Sequence, residues 1–323
     1  MNESRMEFQF LDRIRRRLLR IDDKQVLFDT RGFVPTKLQG HLEAIGRSFL
    51  LGYHMALDDS SLPRQCNPFS TVASCYRGFA FEGASMAMAL CDALGVLRRN
   101  RWSEFVKGGG ASHIYVLHVG LGWAVARVPW YRRSPEKVMK ELDPLLRWLV
   151  IDGLGFHEGF FNWKARSPSE IGALNLSPYG MRVFDQGLGR SLWFGSGAEV
   201  AGVARIIESF APSRRADLWS GVGLAACYAG DLDSAEIECL IDASQAYGEH
   251  LAQGIVFGAE ARELGGIPTS HTERICNCVC GLTSAEAAEI SYAALPAAND
   301  SHQPAYETWR ANIRETLRSR ISA

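Results

Sequence analysis

GLAACYAGDLDSA, residues 223–235, is the stretch that most directly predicts the fold. The small residues that follow Gly223 would let one helix approach its neighbour closely, and GDLDS would then turn the chain. AEIECLIDA, residues 235–243, would form the return helix. The stretch therefore predicts a hairpin of two packed helices.

The same pattern, a glycine followed by a small or apolar helical run, recurs along the chain. The aligned positions are Gly46, Gly83, Gly122, Gly155, Gly189, Gly223 and Gly254, with spacings of 37, 39, 33, 34, 34 and 31 residues. A period of about 34 residues is that of a two-helix hairpin repeat. GRSFLLG (46–52) and GRSLWFG (189–195) are almost literal copies of each other.

We therefore predict an all-α fold of about seven antiparallel helix-hairpin repeats, stacked in the manner of tetratricopeptide repeats. The stack is either an open superhelix or curls toward a closed ring, since spacing does not distinguish the two. No alternating β-branched run or Asn-Gly turn predicts a strand. Serine before proline at 134–135 and at 167–168, and Ser284 before Glu286, predict helix starts. Residues 58–78 predict a long loop, and such loops are often functional.

Three segments are expected along the chain. Residues 1–30 predict a basic amphipathic helix and a linker, residues 31–300 the helical-repeat domain, and residues 301–323 a C-terminal helix packed on that domain. In the first segment, Leu11, Ile14, Leu18 and Ile21 share one helical face, and arginines cover much of the rest. Such a helix either packs on its own domain or lies on an anionic membrane.

Composition limits the functional classes. The formal net charge of −1 provides no global field for nucleic acid or other polyanions. No uncharged apolar stretch reaches about eighteen residues, so we expect no spanning helix. The start, MNESRMEF, lacks the basic-then-apolar pattern of a secretory signal. We therefore expect a cytoplasmic protein whose eight cysteines are mostly reduced.

Six blocks in order, spread over roughly residues 15–295, carry a family resemblance. They are LEAIGRSFLLGYHMAL (42–57), RGFAFEGASMAMAL (77–90), HVGLGWAVARV (118–128), LLRWLVIDGLGFHEGFF (145–161), DQGLGRSLWF (185–194) and DLWSGVGLAACYAG (217–230). In these blocks the chain resembles the uncharacterised UnbL-type proteins associated with enediyne polyketide gene clusters. The resemblance implies a role around polyene or enediyne biosynthesis, but it supplies no catalytic residues.

Three titratable residues are candidates for catalysis: His157, Glu158 and Glu82. His157 and Glu158 lie among aromatic residues in DGLGFHEGFF, where the histidine is either an acid or base tuned by a carboxylate or a hydrogen-bonded core residue. Asp152 would cap a helix that begins near Gly153 or Gly155. Glu82, in FAFEGASM, is either half-buried with a raised pKa or bonded to an arginine such as Arg77.

Tryptophans, arginines and acids recur at comparable places in the aligned blocks. In a curved stack such positions would line one concave surface, with Trp123 stacked on Arg127 and Arg190 on Trp193. The alternative is a set of arginine–acid pairs that join neighbouring repeats. The candidate substrate-binding residues are Asp152, His118, Trp123, Arg127, Arg190, Trp193, Asp217 and Trp219.

Metal and nucleotide sites are not predicted. HTERICNCVCG (271–281) contains His271, Cys276, Cys278 and Cys280 but lacks C-x-x-C zinc spacing. On a helix Cys276 and Cys280 would share an apolar face. KGGGASH (107–113) and the GLG segments lack the preceding strand and following lysine of a phosphate loop. The identity of any cofactor stays open.

Two functional hypotheses remain. The first is a protein that acts on or binds a hydrophobic, polyene-like molecule, with acid–base chemistry in an aromatic-lined cavity. The second is a non-catalytic scaffold of helical repeats that binds another biosynthetic protein. A closed apolar cavity containing His157 and Glu82 would favour the first, and an open groove with asparagine and lysine ladders would favour the second. The chain has no visible ladder of that kind, which favours the first hypothesis.

Overall fold

The computed structural model describes residues 17–95, 100–163, 175–297 and 303–321. Over these ranges the fold is all-helical and contains no strand, as predicted. We number the helices of seven residues or more: α1 (Gln39–Asp58), α2 (Ser74–Leu94), α3 (Arg101–Lys107), α4 (Ile114–Arg127), α5 (Trp148–Asn162), α6 (Pro178–Gly195), α7 (Val200–Glu208), α8 (Pro212–Tyr228), α9 (Ser234–Ala243), α10 (Gly248–Leu264), α11 (Ser270–Cys280), α12 (Ser284–Ala293) and α13 (Ala305–Ile321).

Shorter helical segments connect several of these elements. Four-residue α-helices span Phe28–Arg31, Pro129–Arg132 and Pro135–Val138, and 3-10 helices span Asp23–Val26, Leu62–Arg64, Ala111–His113 and Gln245–Tyr247. The long loop predicted at 58–78 is shorter than expected, because α1 ends at Asp58 and α2 already begins at Ser74.

The long helices pack side by side in one row, in the order α1, α2, α4, α5, α6, α8 and α10. A second row of α7, α9 and α11 lies against it and carries the chain back between the later members. α12 and α13 pack on α10 at the end of the first row. Residues 78–90 of α2 and 148–160 of α5 are buried on every side, which suits helices that are apolar or small all round.

Glycine allows the helices of the first row to touch backbone to backbone. A Cβ added at Gly155, Gly189 or Gly223 would lie 2.1 Å from a carbonyl oxygen of the next helix. No side chain fits in that space, so the aligned glycines are contact positions, as predicted for Gly189 and Gly223. The carbonyl oxygens belong to Phe184, Leu218 and Leu251, respectively.

Contacts along each helix pair give the helix directions. His41 at the start of α1 lies 3.2 Å from the hydroxyl group of Tyr76 at the start of α2, so α1 and α2 are parallel. Paired contacts show that the later neighbours are parallel as well: Phe81–His113 and Ser85–Leu117 between α2 and α4, Val119–Gly153 and Arg127–His157 between α4 and α5, and similar pairs from α5 through α6 and α8 to α10. The seven long helices therefore all run in one direction, and the segments between them return the chain.

A buried arginine joins the last helix of the row to the second one. Arg262 on α10 donates to the carbonyl oxygen of Cys75 at 2.8 Å, at the start of α2, and to the carbonyl oxygen of Tyr228 at the end of α8. Buried apolar side chains from the described helices form one continuous core. This core encloses the candidate site.

Several expectations about helix ends need correction. Asp152 is not an N-cap, because the apolar run before it already forms the first turn of α5 from Trp148 onward. The cap of α12 is Thr283 rather than Ser284, and Thr283 forms a capping box with Glu286. Pro135 begins a short helix, but the Ser134 side chain makes no capping bond. The predicted start at 167–168 lies outside the described residues.

The N-terminal segment also differs from its prediction. Leu11 and Ile14 lie outside the described residues. Leu18 is 79% exposed, whereas Ile21 is buried in the core, so these two residues do not share one buried face. At the other end of the chain, α13 packs on α10 and α12 through residues that include Tyr306 and Trp309.

Candidate functional site

Glu82 is a buried carboxyl group without a hydrogen-bond partner. It lies in the middle of α2 with 1% of its surface exposed, and neither carboxyl oxygen accepts a bond from any described residue. Burial raises the pKa of Glu82 to about 7, against the attraction of the nearby Arg190 guanidinium and of the Trp123 indole N–H, which lies near the carboxyl group without making a hydrogen bond of normal geometry. The group is therefore poised between its acid and its carboxylate near neutral pH. The predicted alternative, a bond to Arg77, is wrong, since Arg77 donates to the Val72 carbonyl oxygen.

An aromatic cavity of about 40 Å³, which we call the Glu82 cavity, adjoins this carboxyl group. Glu82 is the one charged residue in its wall, and Gln25 is the one neutral side chain with an amide. The indole N–H of Trp123, also in the wall, has no partner among the described residues. The remaining wall is apolar and consists of Ile21, Val26, Ile45, Phe49, Leu50, Phe79, Phe156, Phe160, Phe161 and Phe194.

Asp152 and Arg190 form a buried ion pair between α5 and α6. Arg190 Nη1 lies 2.5 Å from Asp152 Oδ1, and the other carboxylate oxygen accepts from Gln186 Nε2 at 2.9 Å. The Arg190 guanidinium lies over the ring of Phe156, 4.6 Å from its centroid, and not over Trp193 as expected. The pair holds a positive charge close enough to Glu82 to stabilise its carboxylate form.

A second cavity, also of about 40 Å³, has this ion pair in its wall. We call it the Tyr228 cavity, because the buried hydroxyl group of Tyr228 has no partner among the described residues. Glu260 also lines it; Glu260 Oε1 accepts from the Tyr115 hydroxyl at 2.5 Å, while Oε2 is unpartnered in the described chain. Burial raises the pKa of Glu260, although the Ser291 and Tyr115 hydroxyl groups, of which only that of Tyr115 makes a hydrogen bond of normal geometry, lower it. The other wall residues include Asp152, Arg190, Phe257, Tyr306 and Trp309.

His157 and Glu158 are neighbours in space, but they are not in the wall of either cavity. Arg127 Nε donates to His157 Nε2 at 3.3 Å, so the neutral ring carries its proton on Nδ1. Burial lowers the pKa of His157. Burial alone would raise the pKa of Glu158, but His157 and Arg132 together lower it. The imidazole is therefore neutral near pH 7, and its basic nitrogen is already engaged.

The structure does not bring all the predicted substrate-binding residues to one surface. Trp123 lines the Glu82 cavity, whereas Arg127 lies over Phe161, 4.8 Å from its centroid, and not over Trp123. His118 donates through Nδ1 to the Ile114 carbonyl oxygen at 2.8 Å, an intrahelical contact. The other three residues are buried outside both walls: Trp193, Asp217 and Trp219.

Tyr228, Glu260 and Tyr306 were not predicted as site residues. Glu260 carries the same signal as Glu82, a carboxylate set in a run of small and apolar residues, in GIVFGAEAR (254–262). Tyr228 lies in GLAACYAG (223–230), the glycine block that predicted the fold, but nothing in that block indicated that its hydroxyl group would line a cavity.

No metal site is apparent in the part of the chain that the structure describes. No group of three or more histidine, cysteine, aspartate or glutamate side chains is arranged there to hold an ion. Cys276 is buried in α11 and Cys278 is exposed on the same helix. Among the described helices, none has the length and apolarity required to cross a membrane.

The family comparison gives one match. A family model described as "Protein of unknown function (DUF1702)" matches residues 10–317, nearly the whole chain. No curated protein and no solved structure matches the chain.

Proposed function

This chain belongs to the DUF1702 family, and we propose that it binds a hydrophobic, unsaturated small molecule and donates a proton to it from Glu82. The observation that carries the proposal is the unpartnered carboxyl group of Glu82 in an aromatic cavity. In an apolar enclosure no water solvates the carboxyl group or competes for its proton, so the proton can pass directly to a bound molecule.

The chemistry requires one proton and one stabilised charge. The O–H bond of Glu82 breaks as a C–H bond forms at one carbon of a conjugated system, which leaves a cation on the substrate and a carboxylate on Glu82. A different proton of that cation then passes to the Glu82 carboxylate or to a water molecule, and its loss completes an isomerisation or a cyclisation. Arg190 attracts the new carboxylate, and the surrounding aromatic faces attract the cation.

The resemblance to UnbL-type proteins supports a polyene of enediyne-type biosynthesis as the substrate class. The cavity volume of about 40 Å³ accommodates only part of such a molecule, so the cavity must expand when the molecule binds. The wall at Ile21 and Val26 is suited to that movement, because it comes from the segment around a short 3-10 helix and not from a long helix. The absence of a spanning helix among the described residues is compatible with our proposal of a cytoplasmic site of action.

The alternative proposal is a tetratricopeptide-like scaffold of about seven hairpin repeats that binds another biosynthetic protein. The parallel helices of the row support such repeats. However, their glycine faces are used in helix–helix contacts, and the predicted charged and aromatic positions, apart from Arg127, lie inside the molecule. We therefore favour the small-molecule function.

Metabolite analysis of the host organism tests the proposal. A strain lacking the gene is complemented with the wild-type chain, with Glu82→Gln or with Glu43→Gln. Glu43 is a matched control, because it is also a buried glutamate on a long helix but is bonded to the Phe28 amide and lies outside the cavity wall. We expect stable, soluble Glu82→Gln protein and loss of the pathway product, with the product retained in Glu43→Gln.

His157→Gln separates the two candidate acid–base groups. Because Arg127 already occupies Nε2 of His157, we expect a glutamine amide oxygen to replace that acceptor and the product to be retained. Retention of the product by a stable Glu82→Gln variant would remove Glu82 from the mechanism. Loss of the product in a stable His157→Gln variant would assign the chemistry to His157 and Glu158.

A further inference from the structure

The two cavities have walls of different chemistry. Apart from Glu82, Gln25 and the indole N–H of Trp123, the wall of the Glu82 cavity is apolar. The Tyr228 cavity has a tyrosine hydroxyl and a carboxyl oxygen that are unpartnered in the described chain, and it also contains the Asp152–Arg190 ion pair. A volume of about 40 Å³ accommodates two or three water molecules, and a polar wall supplies the hydrogen bonds that buried water requires.

Tyr228 connects this polar cavity to the helix that carries Glu82. Its hydroxyl oxygen lies 1.9 Å from the place where a Cβ of Gly78 would be, so only glycine leaves room for the hydroxyl against α2. Gly78 and Glu82 are four residues apart and therefore share one face of α2. Burial raises the pKa of Tyr228 to about 12, and the Glu82 carboxylate adds to that rise. The Tyr228 hydroxyl thus lies in the wall of the polar cavity and also against α2, one helical turn from Glu82.

We propose that the Tyr228 cavity is a water-binding site that exchanges protons with Glu82 through the Tyr228 hydroxyl, and this proposal rests on the proposed role of Glu82. When Glu82 is a carboxylate, Tyr228 gives its hydroxyl proton to a bridging water molecule, which gives one of its own protons to a Glu82 oxygen, because the two side chains are not hydrogen-bonded to each other. The phenolic oxygen takes a proton from a cavity water, and that water takes the proton of the Glu260 carboxyl group. The Glu260 carboxylate is then protonated from solvent water, so one proton enters and no electron moves.

Glu260 is suited to the outer position of this relay. It is 6% exposed, against 1% for Glu82. The Tyr115 hydroxyl donates to Glu260 Oε1 and leaves Oε2 for a water molecule. Burial raises the pKa of Glu260, so the group retains a transferable proton at a higher pH than an exposed glutamate. Tyr228 is a positioning residue for Glu82 and has no proposed contact with the substrate.

Infrared spectroscopy of the full chain tests the relay without a substrate. Spectra are recorded at about pH 6, where Glu82 is mostly protonated because its pKa is about 7. The C=O stretching band of the protonated Glu82 carboxyl group is the band that disappears in Glu82→Gln. The rate at which this band shifts after transfer to D₂O reports proton exchange at Glu82. Tyr228→Phe removes one hydroxyl group and keeps the ring. Tyr179→Phe is the matched control, because that buried hydroxyl is also unpartnered among the described residues but lines neither cavity.

We expect exchange to slow on the order of tenfold or more in Tyr228→Phe and also in Glu260→Gln, and to be unchanged in Tyr179→Phe. Wild-type exchange in a folded Tyr228→Phe variant overturns the relay and leaves the role of Glu82 intact. If Tyr228→Phe does not fold, wild-type exchange in Glu260→Gln overturns the relay instead. A wild-type chain that lacks the Glu82 band at this pH overturns both the relay and the proposed function.

Discussion

At the scale of one residue, the position of Glu82 has an energetic cost that depends on pH. Burial raises its pKa from 4.5 to about 7, so the free energy of unfolding is largest when the group is protonated. This contribution of Glu82 to stability is fully present below about pH 4.5 and is lost as pH rises to about 7. A shift of this size corresponds to about 3 kcal/mol of free energy of unfolding.

We therefore predict that Glu82→Gln removes this component of the pH dependence. Urea unfolding of the wild-type chain and the variant at several values from pH 4.5 to 8 measures the difference between their free energies of unfolding. We expect the variant to gain about 3 kcal/mol relative to the wild type across that range, with most of the gain complete by pH 7. A constant difference would show that Glu82 titrates like an exposed glutamate.

Part of this site could be predicted from the sequence. A glutamate set in FAFEGASM has no obvious solvent-facing position, so its burial and raised pKa were among the expected alternatives. The Asp152–Arg190 pair could not be predicted as a pair, because it depends on α5 and α6 lying parallel. The engagement of His157 by Arg127 also depends on the packing of α4 against α5.

At the scale of the helix, glycine acts by the space it leaves and not by its backbone flexibility. Intrinsic helix preference alone would make Gly223→Ala stabilising by up to about 1 kcal/mol. The structure reverses that expectation, because a Cβ at Gly223 would lie 2.1 Å from the Leu251 carbonyl oxygen. A backbone atom cannot move aside as a side chain can, so α8 and α10 would have to separate.

We predict that Gly223→Ala lowers the free energy of unfolding by about 1–3 kcal/mol, and that Gly223→Leu lowers it further. Gly40→Ala is the control: Gly40 is also helical, in α1, but an added Cβ there meets no atom within 4 Å. The stability of the Gly40→Ala variant should be unchanged or slightly raised. Thermal unfolding of the three variants measures this, and a Gly223→Ala midpoint at or above wild type would contradict the close contact.

The period of the glycines predicted where helices touch, but it did not predict how the chain returns between them. Gly189 and Gly223 both lie at contacts, as expected. A spacing of 39 residues and one of 34 both accommodate a long helix and a return segment. Between α4 and α5 only four-residue helices are found, yet the two long helices are parallel, since Arg127 at the end of α4 contacts His157 in the later part of α5.

At the scale of the whole molecule, α13 closes the end of the row through buried charges. Arg310 is fully buried and donates to Asp217 on α8 at 2.6 Å, to Glu307 at 3.2 Å and to Gln253 on α10 at 3.2 Å. Tyr306 and Trp309 on the same helix line the Tyr228 cavity. The C-terminal helix thus encloses the proposed water-binding site while it ties α8 to α10.

We predict that Arg310→Met lowers the free energy of unfolding by about 3 kcal/mol or more, because it leaves Asp217 buried beside only the half-exposed Arg182. Arg318→Met is the matched control on the same helix: its side chain is 64% exposed and pairs with Glu249, so we expect a loss of at most about 1 kcal/mol. Urea unfolding of both variants gives the comparison. Equal losses would mean that α13 is held by its apolar face, in which case docking of the helix, and closure of the Tyr228 cavity with it, would not depend on the buried arginine.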